Sequence, residues 1–496
     1  MEKYILTIDQ GTTSTRAIIF NKHGQLKAVA SKEIACVTPF PAHVEQDALE
    51  ILDSVKYVLK SVFNDTAIMP DQIACIGIAN QRETTIMWDK HTGIPVYNAI
   101  VWQSKQSNYI CEELIAKDYT ALIKERTGLP VDSYFSATKI RWLLDNVVGL
   151  RERVANDEII FGTIDTWLLW NLSLHKVHYT DYSNASRTML YNIKELAWDQ
   201  ELLDILDIPG TILPKVVNSS QVYDDINPAY FFDNKVAIAA LIGDQQAALF
   251  GQACFHKGDL KNTYGTGCFL LLNTKEEIVT SENGLVTTIA WGLNDEIDYA
   301  LEGSIFVGGS AVQFLRDNLK LITSAAQAEA GASLVKDNGG VYVVPTFSGL
   351  GSPYWDMEVK GAIFGLTAAT SANHLIRATL EAIAYQTKDI IEVIKKDTHL
   401  PIKKLKVDGG ASQNGLLMQF QSDILNAVIE QPATYETTAL GAAFLAGLAT
   451  NYFKDKQEII DNCNMGKKYE PQMTKAEIVN LYHKWQKALA AVRMFK

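Results

Sequence analysis

No cluster of lysine and arginine occurs in this 496-residue chain, and its formal net charge is −12, so the electrostatic footprint of a non-specific nucleic-acid binder is missing. Its six cysteines (Cys36, Cys75, Cys111, Cys254, Cys268, Cys463) form no Cys-x-x-Cys pair, and no histidines stand at zinc-finger spacing. They read as buried thiols in a reducing compartment. No apolar run covers a bilayer: Ala439 to Ala449 is about half the length required and contains two glycines. The N-terminal run Tyr4 to Ile8 ends at Asp9, too short for the hydrophobic region of a signal peptide, so a cytoplasmic location is expected. Nor does any Pro/Gly/Ser-rich linker divide the chain, which implies domains sharing an extensive cleft and a short hinge.

Apolar residues make up 47 % of the chain and charged residues 21 %, an ordinary globular balance. At this length one hydrophobic core stops growing, so two domains are expected, 1–249 and 250–496. Tyr4 to Ile8 and Arg16 to Phe20 predict a hairpin around the turn Asp9 to Ser14; Leu26 to Ala35 predicts a third strand. A helix over Asp47 to Phe63 and a strand over Ile73 to Ala79 follow. The second half repeats the theme. A strand at Val236 to Ile242 leads to a short helix from Gln245. A hairpin of Leu260 to Tyr264 and Cys268 to Leu272 then encloses Gly265, Thr266 and Gly267. Helices are predicted at Ala372 to Ile394, Gln413 to Leu425 and Thr438 to Leu448, flanking short strands at Lys406 to Asp408 and Val428 to Glu430. Strands alternating with helices in both halves define an α/β fold with mixed sheets.

Three segments carry chemistry. In Asp9-Gln10-Gly11-Thr12-Thr13-Ser14-Thr15-Arg16 a carboxylate leads a turn crowded with hydroxyls and backbone N–H groups. Such a turn suits phosphate: glycine permits close approach, hydroxyls donate to phosphoryl oxygens, Arg16 adds charge and Asp9 can hold hydrated Mg²⁺. A plain polar hairpin turn would read the same way. Thr263 to Gly267 places similar chemistry in the second half. Val407 to Asn414 ends a strand with adjacent glycines, which admits a flat ring or ribose, or marks an ordinary strand-to-helix turn. There is no Gly-x-x-x-x-Gly-Lys-Ser/Thr loop, no His-Arg-Asp and no Asp-Phe-Gly, so neither the phosphate-loop NTPases nor the protein kinases apply.

Together these segments resemble the superfamily of actin, sugar kinases and heat-shock ATPases, whose two related ribonuclease H-like domains close on a nucleotide. Asn80-Gln81-Arg82-Glu83-Thr84-Thr85 and Gly243-Asp244-Gln245-Gln246-Ala247-Ala248 narrow the resemblance to the glycerol kinases, a branch of the carbohydrate kinases. Gly162 to Trp167, Asp181 to Thr188, Asn262 to Gly267 and Gly349 to Asp356 extend it over nearly the whole chain.

The resemblance implies ATP-dependent phosphorylation of glycerol with Mg²⁺. Residues matching Arg82, Glu83, Tyr134, Asp244 and Gln245 bind the polyol hydroxyls, and those matching Trp102 and Phe269 wall off its carbons. A triol offers little apolar surface, so selectivity must come from donors and acceptors that an analogue would leave unsatisfied. On residue types alone Arg82 and Glu83 could equally be a surface ion pair. Asp244 is the expected general base, although a helix N-cap would account for it too. Thr12, Thr13, Ser14 and Arg16 match phosphate contacts, Thr266 meets the phosphates from the other domain, and Gly309, Gln313, Gly410 and Asn414 match the nucleoside side. Asp9 and Asp244 are the candidates for Mg²⁺, through water. Homodimers or homotetramers are common in such families.

Four positions depart from the family pattern. Lys105 and Ala368 stand where arginine is frequent, and Phe314 where tryptophan is. Ser133 replaces a proline that would have restricted the turn before Tyr134. The segment Asn218 to Lys235 contains no His, Gly or Arg, so neither activation through a phosphohistidine nor inhibition by a sugar bisphosphate is expected there. Two rivals remain: a related kinase for xylulose or another polyol, and a nucleotide switch of the actin type.

Overall fold

The computed structural model describes residues 2–347, 349–356, 358–463 and 465–495. Tyr4–Gln10, Ser14–Phe20 and Leu26–Glu33 form an antiparallel meander. Ile73–Asn80 runs parallel to the first of these strands, and Ala237–Gly243 parallel to Ile73–Asn80. The second half repeats this order. Leu260–Tyr264 and Cys268–Lys275 make the hairpin, Glu296–Ile305 adds the third antiparallel strand, and Lys404–Asp408 and Val428–Pro432 follow in parallel. Both halves belong to one 13-stranded mixed sheet, joined where Ser220–Asp225 meets Val286–Leu293.

Burial explains the strand types. Every residue of Tyr4–Gln10 is buried, as a strand covered on both faces requires, whereas Leu26–Glu33 alternates partial and full exposure and carries lysines at the sheet edge. Helix Ala48–Ser61 starts where Asp47 accepts a bond from the Leu49 N–H, and it turns Ile51, Val55, Val58 and Leu59 into the core.

The apolar run near the C-terminus becomes helix Thr437–Ala449, which lies against helix Asp244–Gly251 of the first half. Both faces of this helix are covered, so its apolar residues run all the way round. Glycine sets the approach: a Cβ on Gly441 would stand 1.9 Å from the Ala247 carbonyl oxygen, and one on Gly251 2.0 Å from that of Thr437. Residues of the two halves share one core here, with Ala239, Ile242 and Phe250 beside Ala439, Ala442 and Phe444. Among the described residues no helix is long and apolar enough to cross a membrane.

Several features differ from the sequence reading. Gly243, not Asp244, is the N-cap of helix Asp244–Gly251, so the capping role does not explain Asp244. Cys36 is exposed and Cys463 half-buried; only Cys75, Cys111, Cys254 and Cys268 are buried thiols. The hairpin of Val286–Leu293 and Glu296–Ile305 has no counterpart in the predicted elements. The last segment, in which the sequence reading names no strand, joins the fold: Met465–Tyr469 pairs with Val428–Pro432, and helix Lys475–Met494 buries Trp485. That indole stacks on Tyr385 and donates to Asp389 at 2.9 Å. Burial pushes the Asp389 carboxyl up to about 7.

Candidate active site

Strand register brings the first-half candidates to one edge. Gln10 and Gly243 both lie opposite Asn80, so Asp9, Arg82, Glu83 and Asp244 leave the carboxyl ends of three neighbouring parallel strands, where open α/β sheets place their ligands.

Arg82 is 3 % exposed and Glu83 1 %, so they are no surface pair. The Arg82 guanidinium donates to both carboxylate oxygens of Glu302, at 2.5 and 3.0 Å, and to Gln246 at 3.1 Å; its Nε stands 3.3 Å from Asp244. Arg187 completes the network, donating to Glu83 at 2.5 Å and lying 3.2 Å from Glu302. Burial alone would raise the Glu302 carboxyl, but Arg187 and Arg82 outweigh it and hold it at about 2. Glu83 adopts a left-handed conformation, φ +59°, unusual for a residue with a Cβ. Its carbonyl accepts from Ser136 Oγ at 3.1 Å and Lys139 Nζ at 3.3 Å, which hold it there.

Tyr134 is buried with its ring edge-on to Trp102, centroids 5.6 Å apart, and beneath the Arg187 guanidinium. The proline missing at Ser133 is compensated. The Tyr134 N–H donates to the Asp132 carboxylate at 2.8 Å and its carbonyl accepts from Lys139 Nζ at 2.5 Å. Trp102 Nε1 donates to Thr12 Oγ1 at 2.9 Å, tying the Trp102–Tyr134 ring pair to the turn of the first hairpin. Asp244 keeps 31 % of its side chain exposed to the cleft. Its own neighbour Gln245 donates through the backbone N–H at 2.7 Å and through Nε2 at 3.2 Å. Burial raises the Asp244 pKa, with Arg82 opposing the rise. Phe269 is half-buried, opposite Thr263 on one side and Ser304 on the other.

In the first hairpin the Gly11 N–H donates to the Ser14 carbonyl at 2.9 Å, closing a turn whose Thr13 is exposed. Thr266 is exposed at the tip of the second hairpin. Thr266, Gly309, Gln313, Gly410 and Asn414 line one cavity of about 460 Å³, together with Leu417. Gly409 has φ +85°, and a Cβ there would meet the Tyr264 backbone at 2.6 Å, whereas Gly410 has open space before it, as a cradle for a ring or ribose needs. Asn414 accepts from the Leu417 N–H at 2.9 Å, capping the following helix. Arg16 does not point freely into the turn: it pairs with Asp9 and, at 2.6 Å, with Glu436 of the second half.

Among the described residues no three His, Cys, Asp or Glu side chains form a metal cluster. Asp9 and Asp244 supply two hard carboxylates at the ends of the two strands that flank Ile73–Asn80. That donor set fits Mg²⁺, which takes one or two carboxylates and completes its shell with phosphate and water.

Arg187, Glu302, Lys139 and Lys261 escaped the sequence reading. Glu302 gave one signal, a lone carboxylate within the apolar stretch Tyr299 to Ile305, and Arg187 sits in the run Asp181 to Thr188 already singled out. Lys139 and Lys261 gave none, since a lysine is read as solvated until its surroundings are known.

Residues 4–251 match the FGGY family of carbohydrate kinases, N-terminal domain, and residues 260–450 the C-terminal domain of that family. A glycerol kinase of Bacillus licheniformis is 55 % identical over 496 residues, covering all of both chains. The crystal structure of Plasmodium falciparum glycerol kinase with ADP superposes with a TM-score of 0.92 at 36 % identity, over 99 % of this chain and 98 % of that one. A gluconate kinase from Lactobacillus acidophilus, at 23 % identity with a TM-score of 0.86 over the full length of both chains, shares the fold.

Proposed function

Since the chain belongs to the FGGY family of carbohydrate kinases, we propose that it transfers the γ-phosphoryl group of ATP to glycerol, giving sn-glycerol 3-phosphate and ADP. The observation that carries this reading is the buried cluster of Arg82, Glu83, Arg187 and Glu302, with the cleft-exposed Asp244 3.3 Å from Arg82, beside the Trp102–Tyr134 ring pair. It is dense in charge-assisted donors and acceptors, as selection of a triol demands.

In this reading Arg82, Glu83, Tyr134, Asp244 and Gln245 hold the acceptor hydroxyls while Trp102 and Phe269 enclose the carbons. Asp244 takes the hydroxyl proton as the oxygen attacks in line, contributing roughly 10²- to 10⁴-fold, and burial, which raises its pKa, strengthens it as a base. Thr12, Thr13, Ser14 and Arg16 from one half and Thr266 from the other bind the phosphates. Gly309, Gln313, Gly410 and Asn414 hold the nucleoside. Asp9 and Asp244 would hold hydrated Mg²⁺, which neutralises phosphate charge as it shifts to the leaving oxygen. Most of the acceleration is positioning, so closure of the halves, with a boundary near Phe250, excludes water from the phosphoryl group. A cytoplasmic homodimer or homotetramer fits the family.

The test is ADP release with MgATP and glycerol, xylulose or no acceptor, alongside Asp244→Asn. Glycerol-dependent turnover lost in the variant supports substrate and base together. Turnover with xylulose alone would move the chain to a sister activity, and acceptor-independent turnover would point to a nucleotide switch.

A further inference from the structure

Lys261 stands in the first strand of the second half with no exposed surface, yet none of its hydrogen bonds goes to a carboxylate. Its ammonium donates to Gln245 Oε1 at 2.7 Å, Thr263 Oγ1 at 2.8 Å and the Phe269 carbonyl at 3.2 Å. All three of its protons are used. Gln245 belongs to the first half, and Thr263 and Phe269 flank the hairpin that ends in Thr266. One buried charge thus joins the acceptor pocket to the second phosphate hairpin.

We propose that Lys261 is a positioning residue that fixes the orientation of the Gln245 amide in the acceptor pocket. An amide can present either end to a ligand. With Oε1 held by Lys261, only Nε2 faces the cleft, where it donates to Asp244 Oδ2 at 3.2 Å. Asp244 is then fixed from two sides, by Gln245 and by Arg82 Nε at 3.3 Å. Without Lys261 the amide is free to rotate, and the carboxylate loses a defined partner. Burying an ammonium is costly, and desolvation pulls the Lys261 pKa down to about 8. A neutral side chain would avoid that cost but leave Gln245 Oε1 without the donor that fixes it.

The inference rests on the glycerol kinase reading, and the experiment separates the two. The parent is first assayed with glycerol; no turnover there defeats that reading, whatever Lys261 does. Then Lys261→Met, Gln245→Leu and the double variant are compared for kcat, for KM of glycerol and of MgATP, and for ADP affinity by intrinsic fluorescence.

Lys261→Met is expected to lower kcat/KM for glycerol by 10- to 100-fold while the ADP Kd stays within twofold. Gln245→Leu, added to it, should then cost less than a third of what it costs in the parent, because both changes remove one unit. Independent, multiplicative losses would overturn the proposal, as would equal weakening of glycerol and ADP. If Lys261→Met does not fold, Lys261→Arg retains the charge but displaces the donors, and the same cycle run on it must show the same non-additivity or the proposal fails.

Discussion

Arg82 follows strand Ile73–Asn80 of the first half and Glu302 lies within a strand of the second, and the two meet in a bidentate pair at 2.5 and 3.0 Å, both buried. The guanidinium that the acceptor is expected to meet is therefore oriented by the opposite half of the molecule. Its geometry depends on the relative placement of the halves, so acceptor recognition and domain arrangement are linked.

Glu302→Gln leaves Arg82 and Arg187 facing each other with one carboxylate fewer. Removing one partner of a buried charge network costs roughly 3–5 kcal/mol, because the charges left behind are uncompensated. Glycerol kcat/KM should fall by about 10²-fold as Arg82 loses its bidentate hold. Chemical denaturation and steady-state kinetics check the two effects; a fully active variant of unchanged stability would remove Glu302 from the site.

The same carboxylate sets an acid dependence. Arg187 and Arg82, overcoming burial, depress the Glu302 pKa from 4.5 to about 2, so its contribution is complete above about pH 4.5 and is lost as pH falls toward 2. The full contribution is roughly 3 kcal/mol at one pKa unit per 1.36 kcal/mol. Melting temperatures of the parent and Glu302→Gln should differ most at neutral pH and converge as the solution is acidified below pH 4. A gap that stays constant down to pH 3 would contradict the assignment.

Gly441 and Gly251 set the closest approach between the helices joining the halves. Gly441→Ala would place a methyl group 1.9 Å from the Ala247 carbonyl oxygen, so the helices must separate. The expected loss is about 1–3 kcal/mol in stability, with a fall in kcat, since the packing between the halves changes. Urea unfolding with parallel kinetics tests this, and a variant as stable and as active as the parent would mean that the contact is not a constraint.

The sequence exposed the fold where its signals are local. The two hairpins, the strand that leads to Asp244 and the helix from Asp47 were legible because β-branched runs and turns act over a few residues. The glycine turn at Gly409 and Gly410 after strand Lys404–Asp408 was legible for the same reason. The first strand, however, runs on through Asp9 and Gln10, which the sequence reading put in the turn. The hairpin Val286–Leu293 and Glu296–Ile305 escaped, its continuous burial erasing any alternation. With it went Glu302, and likewise Lys261 and Lys139, whose roles come from residues brought near only by tertiary packing. Family likeness supplied Arg82, Glu83 and Asp244; Arg16 was also supplied that way, but its partners Asp9 and Glu436 come from opposite ends of the chain.

That placement of Arg16 yields a prediction on nucleotide binding. Its guanidinium already holds Asp9 and, at 2.6 Å, Glu436 at the start of the helix joining the halves. A phosphate reaching Arg16 must compete with the Glu436 carboxylate, whose pKa is raised by burial and only partly offset by Arg16. Glu436→Gln keeps the shape but removes the competing charge. The pair is partly exposed, so the effect is modest: MgATP KM should fall by about two- to fivefold, in line with about 1 kcal/mol for a screened ion pair. The effect should shrink at high salt, since screening weakens the competing pair first. Initial rates at varied MgATP and two ionic strengths decide it. A raised KM would instead mean that Glu436 holds Arg16 in the phosphate-binding position, making the pair part of the nucleotide site.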